Sequence, residues 1–172
     1  SRLSSTSSNQ SEGERIMVSL IVAIAKNNVI GKGNELPWHY KKDMEYFKQK
    51  TMHKKVIMGE KTFESILGYI GKPLPGRTSV VASQTGFHYP GIEITSDIFT
   101  YLNNVPKEEE VFIIGGKQIY DLTLDYADRL YITHIDKVYD GDVFFKEIDF
   151  TKYEVIYEKQ DGELLFRIYE RI

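Results

Sequence analysis

The stretch Met17–Ala25, MVSLIVAIA, decides the fold class of this chain. It is an almost continuous apolar run, which is typical of a strand covered on both faces. Further short apolar runs follow at residues 55–59, 78–83, 111–116 and 129–135. Helical patterns lie between them, at residues 40–50, 61–67, 97–102 and 117–124, and a weak strand is predicted at 92–95. Strands that alternate with helices indicate parallel βαβ units around a buried sheet.

The C-terminal region has a different pattern. Two β-rich runs, at residues 153–160 and 163–171, flank Asp161-Gly162. This dipeptide predicts a hairpin whose two turn residues both have positive φ. The hairpin must add antiparallel strands at one edge. The predicted fold is therefore α/β, with a central mixed, mostly parallel sheet flanked by helices and a closing antiparallel C-terminal hairpin.

Composition limits the domain organisation and the classes of partner. The chain has 172 residues, a formal net charge of −3 and no cysteine. A weakly acidic protein attracts nucleic acid poorly, and no apolar run approaches the length of about 20 residues that spans a bilayer. The absence of cysteine fits a reducing compartment, so we expect a cytoplasmic protein. Residues 1–16 are polar and serine-rich, which predicts an added, disordered tail before a single domain at 17–172.

In an open α/β sheet, ligands bind beyond the carboxyl ends of the strands, so residues just after each apolar run are candidates for a site. Asp43 shares a predicted helix face with Tyr40 and Phe47, beside Met44. A carboxylate on an apolar face is costly unless it is paired or used, although a solvated first-turn aspartate is the alternative. Trp38, the only tryptophan, is either a pocket wall or a hydrophobic staple at the start of this helix.

Two strand ends carry glycine. Gly115-Gly116 and Gly59 each stand between a strand and a predicted helix, where backbone N–H groups can bind phosphate. Lys61 and Thr62 could add to the second of these sites, although Thr62 could instead be an ordinary N-cap. Arg77 has the fork geometry that suits a carboxylate, or is a surface arginine in a turn. The four histidines lack the pairing of a metal site, so no metal is expected.

The order of these motifs is similar to that of the dihydrofolate reductase family. They are NVIGKGNELPW (28–38), Asp43 with Phe47, VIMGEKTFESI (56–66), PLPGR (73–77), IIGGKQIY (113–120), YITH (131–134) and GDVFF (141–145). The resemblance runs from Met17 to the C-terminus. It implies hydride transfer from NADPH to dihydrofolate, yielding tetrahydrofolate for one-carbon metabolism. It also implies small-molecule partners, including antifolate inhibitors, and a monomer that binds neither nucleic acid nor membrane.

The resemblance also implies a set of site residues. The catalytic group is Asp43, Trp38 and Thr133. Substrate-binding residues are Ile21, Val22, Asp43, Met44, Phe47, Ile66, Leu74, Arg77, Ile114 and Thr133, with Arg77 on the carboxylate of the glutamate tail. Cofactor-binding residues are Ala23, Ile30, Gly31, Asn34, Leu36, Gly59, Lys61, Thr62, Ser83, Gly115, Gly116, Lys117, Gln118, Ile119 and Tyr120. Residues 26–36, here called the lid loop, resemble a mobile lid that Asp142 holds closed through Gly31.

The chain departs from the family pattern in four places. Glu60 and the neutral Gln118 stand where relatives carry basic residues near the cofactor phosphates, which questions a strict preference for NADPH. Lys41 replaces a common proline, and residues 67–70 resemble an insertion. Two alternatives therefore stay open: a reductase of the same fold acting on a pyrimidine intermediate of riboflavin synthesis, and a non-catalytic folate- or nucleotide-binding relative.

Overall fold

The apolar stretch that decides the fold class forms the first strand of a central sheet. The computed structural model describes residues 17–33, 35–106 and 108–172, so the predicted tail at 1–16 lies outside the described residues. The strands are β1 (Met17–Ala25), β2 (Val29–Gly31), β3 (Lys55–Gly59), β4 (Thr78–Ala82), β5 (Glu93–Thr95), β6 (Glu110–Gly115), β7 (Arg129–Ile135), β8 (Val143–Phe144), β9 (Tyr153–Asp161) and β10 (Leu164–Arg171). The helices are α1 (Lys41–Thr51), α2 (Glu60–Ile70), α3 (Ile98–Asn103) and α4 (Lys117–Thr123), with 3₁₀ turns at Leu124–Tyr126 and Phe150–Lys152.

Eight strands form the main sheet in the order β5-β4-β3-β6-β1-β7-β10-β9. The first six in this order pair in parallel, whereas β10 runs antiparallel to both β7 and β9. The mixed, mostly parallel sheet with its closing hairpin is therefore confirmed. Because β1 lies between β6 and β7, the carboxyl ends of these three strands meet at one edge.

The side chains of β1 pack against both layers of helices. Val18, Leu20, Val22 and Ile24 belong to a buried cluster that includes residues of α3 and α4. Ile21 belongs to a second cluster with Phe63 of α2, against which Phe47 of α1 packs. Strand side chains alternate between faces, so an apolar run broken only by the buried Ser19 supplies apolar side chains to both layers.

The ends of the helices follow from local chemistry. The Asp97 carboxylate accepts a hydrogen bond from Phe99 N at 3.0 Å and so caps α3, which begins one residue later than its pattern predicts. Helix α2 ends at Gly71, whose φ of 74° is the left-handed conformation that glycine adopts at low cost. Residues 67–70, predicted as an insertion, form the last turn of α2.

The hairpin turn differs from its prediction by one residue. Asp161 pairs with Leu164, so the two turn residues are Gly162 and Glu163 rather than Asp161 and Gly162. Gly162 has a φ of 62°, and Asp161 and Glu163 do not have positive φ. Glycine at the first turn position fits a type II′ turn, whereas the predicted pair would have required type I′.

Two further predictions were incomplete. The segment after β1 was predicted to be a loop, but it contains β2, which pairs with β8 in a small separate sheet. The predicted apolar stripe of α1 included Met44, whose residue surface is 53% exposed. The inward face of α1 instead carries Tyr46 and Phe47, each partly buried. No helix in the described part of the chain is long and apolar enough to cross a membrane.

Two glycines of α2 provide a paired test of this fold. Gly68 lies inside the helix, and a Cβ added there would meet nothing within 4 Å. We expect Gly68→Ala to raise the free energy of unfolding by about 0.5–1 kcal/mol, because alanine loses less backbone entropy on folding. Gly71→Ala should lower it by about 1–2 kcal/mol, because alanine is strained at positive φ. Urea unfolding measures both, and equal shifts would contradict the assigned end of α2.

Candidate active site

A large cleft runs along the carboxyl edge of the parallel strands. Its volume is about 2300 Å³, and its walls include the ends of β1, β3, β4 and β6 together with one face of α1. In an open α/β sheet, this edge is where ligands bind.

The structure places every described residue of the predicted site along this cleft. Asn34 lies outside the described residues. The lining residues from the predicted set are Ile21, Val22, Ala23, Ile30, Gly31, Leu36, Trp38, Asp43, Met44, Phe47, Gly59, Lys61, Thr62, Ile66, Leu74, Arg77, Ser83, Ile114, Gly115, Gly116, Lys117, Gln118, Ile119, Tyr120 and Thr133. Their location agrees with a shared site, and their individual roles remain predictions.

Asp43 is held by a hydroxyl group of the central sheet. Thr133 Oγ1 of β7 donates a hydrogen bond of 2.7 Å to Asp43 Oδ1 in the first turn of α1. Burial raises the pKa of the Asp43 carboxyl, and the bond from Thr133 opposes this shift by stabilising the charged form. The bond occupies one lone pair, so the carboxylate can accept further donors from a ligand. Asp43 is therefore not the solvated surface aspartate of the alternative interpretation.

Trp38 fits both interpretations of its sequence position, the hydrophobic staple and the pocket wall. Its side chain is buried in a small cluster with Val29 and Phe166, as a staple would be, and it also lines the cleft. Its ring centroid lies 5.2 Å from that of Tyr139. The indole Nε1–H is buried and has no acceptor among the described residues. A buried donor without an acceptor is costly, so the indole is suited to a polar group in the cleft.

Two helix N-termini converge where the glycines stand. A Cβ added at Gly116, just before α4, would lie 3.3 Å from Thr62 Oγ1 in the first turn of α2. Gly115 has a φ of 126°, and its peptide bond to Gly116 is cis. Tyr120 donates to the carbonyl of Ile21 at 2.8 Å and ties α4 to β1. The free backbone N–H groups of both helices are suited to phosphate, and side chains at these glycines would narrow the approach.

The alternative interpretations of Thr62 and Arg77 also have clear outcomes. The N-cap of α2 is Gly59, without a side-chain hydrogen bond, so Thr62 does not cap the helix. Arg77 is partly buried rather than a free surface side chain. Its Nε donates to Pro75 O at 2.9 Å and its Nη1 to Thr51 Oγ1 at 3.2 Å, which fixes the guanidinium at the cleft. Burial lowers the pKa of Arg77, although arginine stays charged at neutral pH.

The lid loop is tethered to the segment around β8. Gly33 N donates to Asp142 Oδ1 at 2.8 Å, and Asp142 N donates to Gly31 O at 3.2 Å. The contact of Asp142 therefore includes Gly33 as well as the predicted Gly31. A Cβ added at Gly141 would lie 2.6 Å from Gly31 O, so this close approach requires glycine.

Two tyrosines near the site were missed at the sequence level. Tyr139 packs on Trp38 and makes a short hydrogen bond to Tyr40. Tyr46 of α1 has a buried hydroxyl group without a partner among the residues described, and burial raises its pKa. The spacing of Tyr46 three residues after Asp43 was the available signal, whereas Tyr139 stands in a loop with no pattern. No group of three or more histidine, aspartate or glutamate residues in the described ranges could hold a metal ion.

Comparisons with known proteins agree with this geometry. The family model for dihydrofolate reductase matches residues 17–170. A dihydrofolate reductase from Haemophilus influenzae is 42% identical over 141 residues, covering 82% of this chain and 86% of that protein. One from Bacillus subtilis is 41% identical over 145 residues, covering 84% of each. The solved structure of dihydrofolate reductase from Enterococcus faecalis complexed with NADP(H) and RAB-propyl has a TM-score of 0.78 and 30% identity, covering 90% of this chain and 96% of that one.

The family model covers nearly all of the described chain, and the relatives match over most of their own length. These matches favour dihydrofolate reduction over the two alternatives left open by the motifs. The chain belongs to the dihydrofolate reductase family.

Proposed function

We propose that this chain reduces dihydrofolate to tetrahydrofolate with NADPH, and that Asp43 is the residue on which substrate recognition and protonation depend. The observation that carries the proposal is the hydrogen bond from Thr133 to Asp43 inside the cleft. It holds a partly buried carboxylate at the same sheet edge as the glycines of β6 and β3. The Asp43 carboxylate, which can bind N–H donors, and the helix N-termini, which can bind phosphates, therefore face the same cleft.

Asp43 has two tasks in this scheme. Its carboxylate accepts hydrogen bonds from the amino and N–H groups of the pterin ring, which orients the ring and raises the basicity of its N5 atom. Thr133 fixes the carboxylate oxygen that faces β7, so the remaining lone pairs are directed to the substrate. Trp38 lines the same cleft, and its unpaired Nε1–H is suited to hold the water that delivers a proton to N5.

The residues present fit the dinucleotide cofactor. The two helix N-termini at Gly59 and Gly116 provide backbone donors for a pyrophosphate, and Lys61 adds a positive charge beside them. Bound NADPH supplies the hydride that the pterin C6 atom accepts. The lid loop, tethered through Gly31 and Gly33, covers the adjoining part of the cleft and would exclude bulk water during the transfer.

The remaining residues divide the substrate between a ring pocket and a tail site. Apolar side chains of α1 and α2, among them Phe47 and Ile66, would contact the rings. Arg77, fixed by Thr51 and Pro75, would pair with the carboxylate of the glutamate tail. Antifolates would occupy the same cleft. Because one chain supplies the whole cleft, the proposal includes a monomeric enzyme, placed in the cytoplasm as its lack of cysteine suggests.

Removing the charge of Asp43 tests the catalytic assignment. We expect Asp43→Asn to lower kcat at neutral pH by at least about 100-fold, the low end for proton-transfer catalysis, because asparagine cannot raise the basicity of N5. The measurement is the loss of reduced-nicotinamide absorbance with dihydrofolate. Asp125→Asn, which changes an exposed aspartate outside the cleft, is the control and should retain activity. Turnover close to that of the unmodified enzyme in Asp43→Asn would refute the assignment.

The same substitution tests the raised pKa through stability. Burial raises the folded-state pKa of Asp43 above its ordinary value of 3.8, so the folded protein holds this proton at pH values where the unfolded chain has lost it. Stability from this group is complete below the unfolded pKa and is lost as pH rises through the folded pKa. The unfolding free energy of Asp43→Asn minus that of the unmodified protein should therefore increase across this range and then level off. A flat or decreasing difference in urea unfolding would contradict the shift.

Arg77→Ala tests the tail site. We expect the KM for dihydrofolate to rise by about tenfold or more with a smaller change in kcat, because an interaction made equally in the ground and transition states affects binding alone. Arg77→Lys is the matched variant: it keeps the charge but loses the fork, and should recover only part of the loss. Steady-state kinetics measure KM and kcat for dihydrofolate, and an unchanged KM would show that Arg77 does not bind the substrate.

A further inference from the structure

An acidic subsite lies in the part of the cleft formed at the ends of β3 and β4. Glu60 is the first residue of α2, directly after Gly59, and it lines the cleft. Its Oε1 accepts hydrogen bonds from two hydroxyl groups beyond the end of β4, from Thr85 Oγ1 at 2.7 Å and from Ser83 Oγ. Its Oε2 accepts no hydrogen bond from the described residues, so it can accept one from a ligand.

The order of the strands decides which part of a dinucleotide would reach this carboxylate. Asp43 and Thr133 bind the substrate beside β7 and β1, so the reacting nicotinamide must lie there. The helix N-termini at β6 and β3 come next along the sheet, and they would hold the pyrophosphate. Beyond them is β4, so the ribose of the adenosine half would lie beside Glu60.

NADH and NADPH differ at this ribose alone. NADH carries a 2′-hydroxyl group, which can donate a hydrogen bond to a carboxylate, whereas NADPH carries a 2′-phosphate, which a carboxylate repels. In dinucleotide-binding folds, an acidic residue at this ribose typically binds the hydroxyl and an arginine binds the phosphate. The two hydroxyl donors lower the pKa of the Glu60 carboxyl, so it is ionised at neutral pH.

Few cations near Glu60 could offset its charge. Lys117, which lines the cleft after β6, lies 3.3 Å from the carboxylate of Asp121. Gln118 is neutral and exposed. Lys61 is the next residue of α2 and also lines the cleft, but it can serve the pyrophosphate that both cofactors share.

We propose that Glu60, positioned by Ser83 and Thr85, is a specificity-determining residue that weakens the preference for NADPH and allows NADH to serve as hydride donor as well. The inference rests on the proposed function. NADH gives its hydride to C6 of dihydrofolate and becomes NAD⁺, while one proton from solvent reaches N5, so atoms and charge balance as they do with NADPH.

Cofactor binding in the absence of substrate provides the first test. The only tryptophan of the chain, Trp38, lines the cleft, so quenching of its emission reports NADH and NADPH binding, with titration calorimetry as a second method. We expect the two Kd values of the unmodified protein to lie within about tenfold of each other. A preference for NADPH greater than about 100-fold would overturn the proposal.

Glu60→Gln keeps the shape of the side chain and removes its charge. We expect it to strengthen NADPH binding by about tenfold, as loss of one like-charge contact would, and to weaken NADH binding by a few-fold. Glu64→Gln, one turn later on α2, exposed and outside the cleft, is the matched control and should change neither Kd. Equal shifts for both cofactors in Glu60→Gln would overturn the proposal.

Kinetics with each cofactor separate this inference from the function on which it rests. We expect the kcat/KM for dihydrofolate reduction with NADH to lie within about tenfold of that with NADPH. This result, together with similar Kd values for the two cofactors, would support both the proposed function and the assignment of Glu60. If neither cofactor reduces dihydrofolate, the proposed function fails, while the two Kd values still decide the assignment of Glu60.

Discussion

The hydrogen bond between Thr133 and Asp43 is the interaction on which the rest of the site depends, because it joins helix α1 to strand β7 inside the cleft. A partly buried carboxylate destabilises the folded protein unless hydrogen bonds compensate, and the bond from Thr133 compensates only in part, since the pKa of Asp43 stays raised. Additional protein donors would offset the raised pKa of Asp43 but would also occupy the lone pairs that a substrate needs. Because Asp43 accepts few hydrogen bonds from the protein, it can bind substrate, at a cost to the stability of the folded chain.

Sheet topology explains why this carboxylate and the glycine cradle share one cavity. Strand β1 is paired with β6 on one side and with β7 on the other, all in parallel. Thr133 near the end of β7 and Gly115 at the end of β6 therefore lie on the same edge, separated by a single strand. The apolar character of Met17–Ala25, which buries β1 on both faces, is what makes this arrangement possible.

The parts of the fold that were predictable from sequence are those governed by local periodicity. Strand β1 and the location of the C-terminal hairpin follow from apolar patterns. The turn at Gly162 was displaced by one residue because its register depends on pairing along the whole of β10 and β9. Strands β2 and β8 are too short to have a pattern and exist because Val29 pairs with Phe144 across the chain. Tyr139 was missed for the same reason, since its contact with Trp38 joins two loops.

Prediction of the site from the sequence depended more on the order of the motifs than on the chemistry of any single residue. Each motif alone had an ordinary structural explanation, and the separation of NVIGKGNELPW from IIGGKQIY made the resemblance specific. The resemblance predicts least at the positions where this chain departs from the family pattern, such as Glu60. Asp43 and Glu60 are both acidic and line one cleft, but their pKa values shift in opposite directions. Burial dominates at Asp43, whereas two hydroxyl donors dominate at Glu60. A family pattern identifies the positions, but only the surroundings of each carboxyl group determine what it can bind.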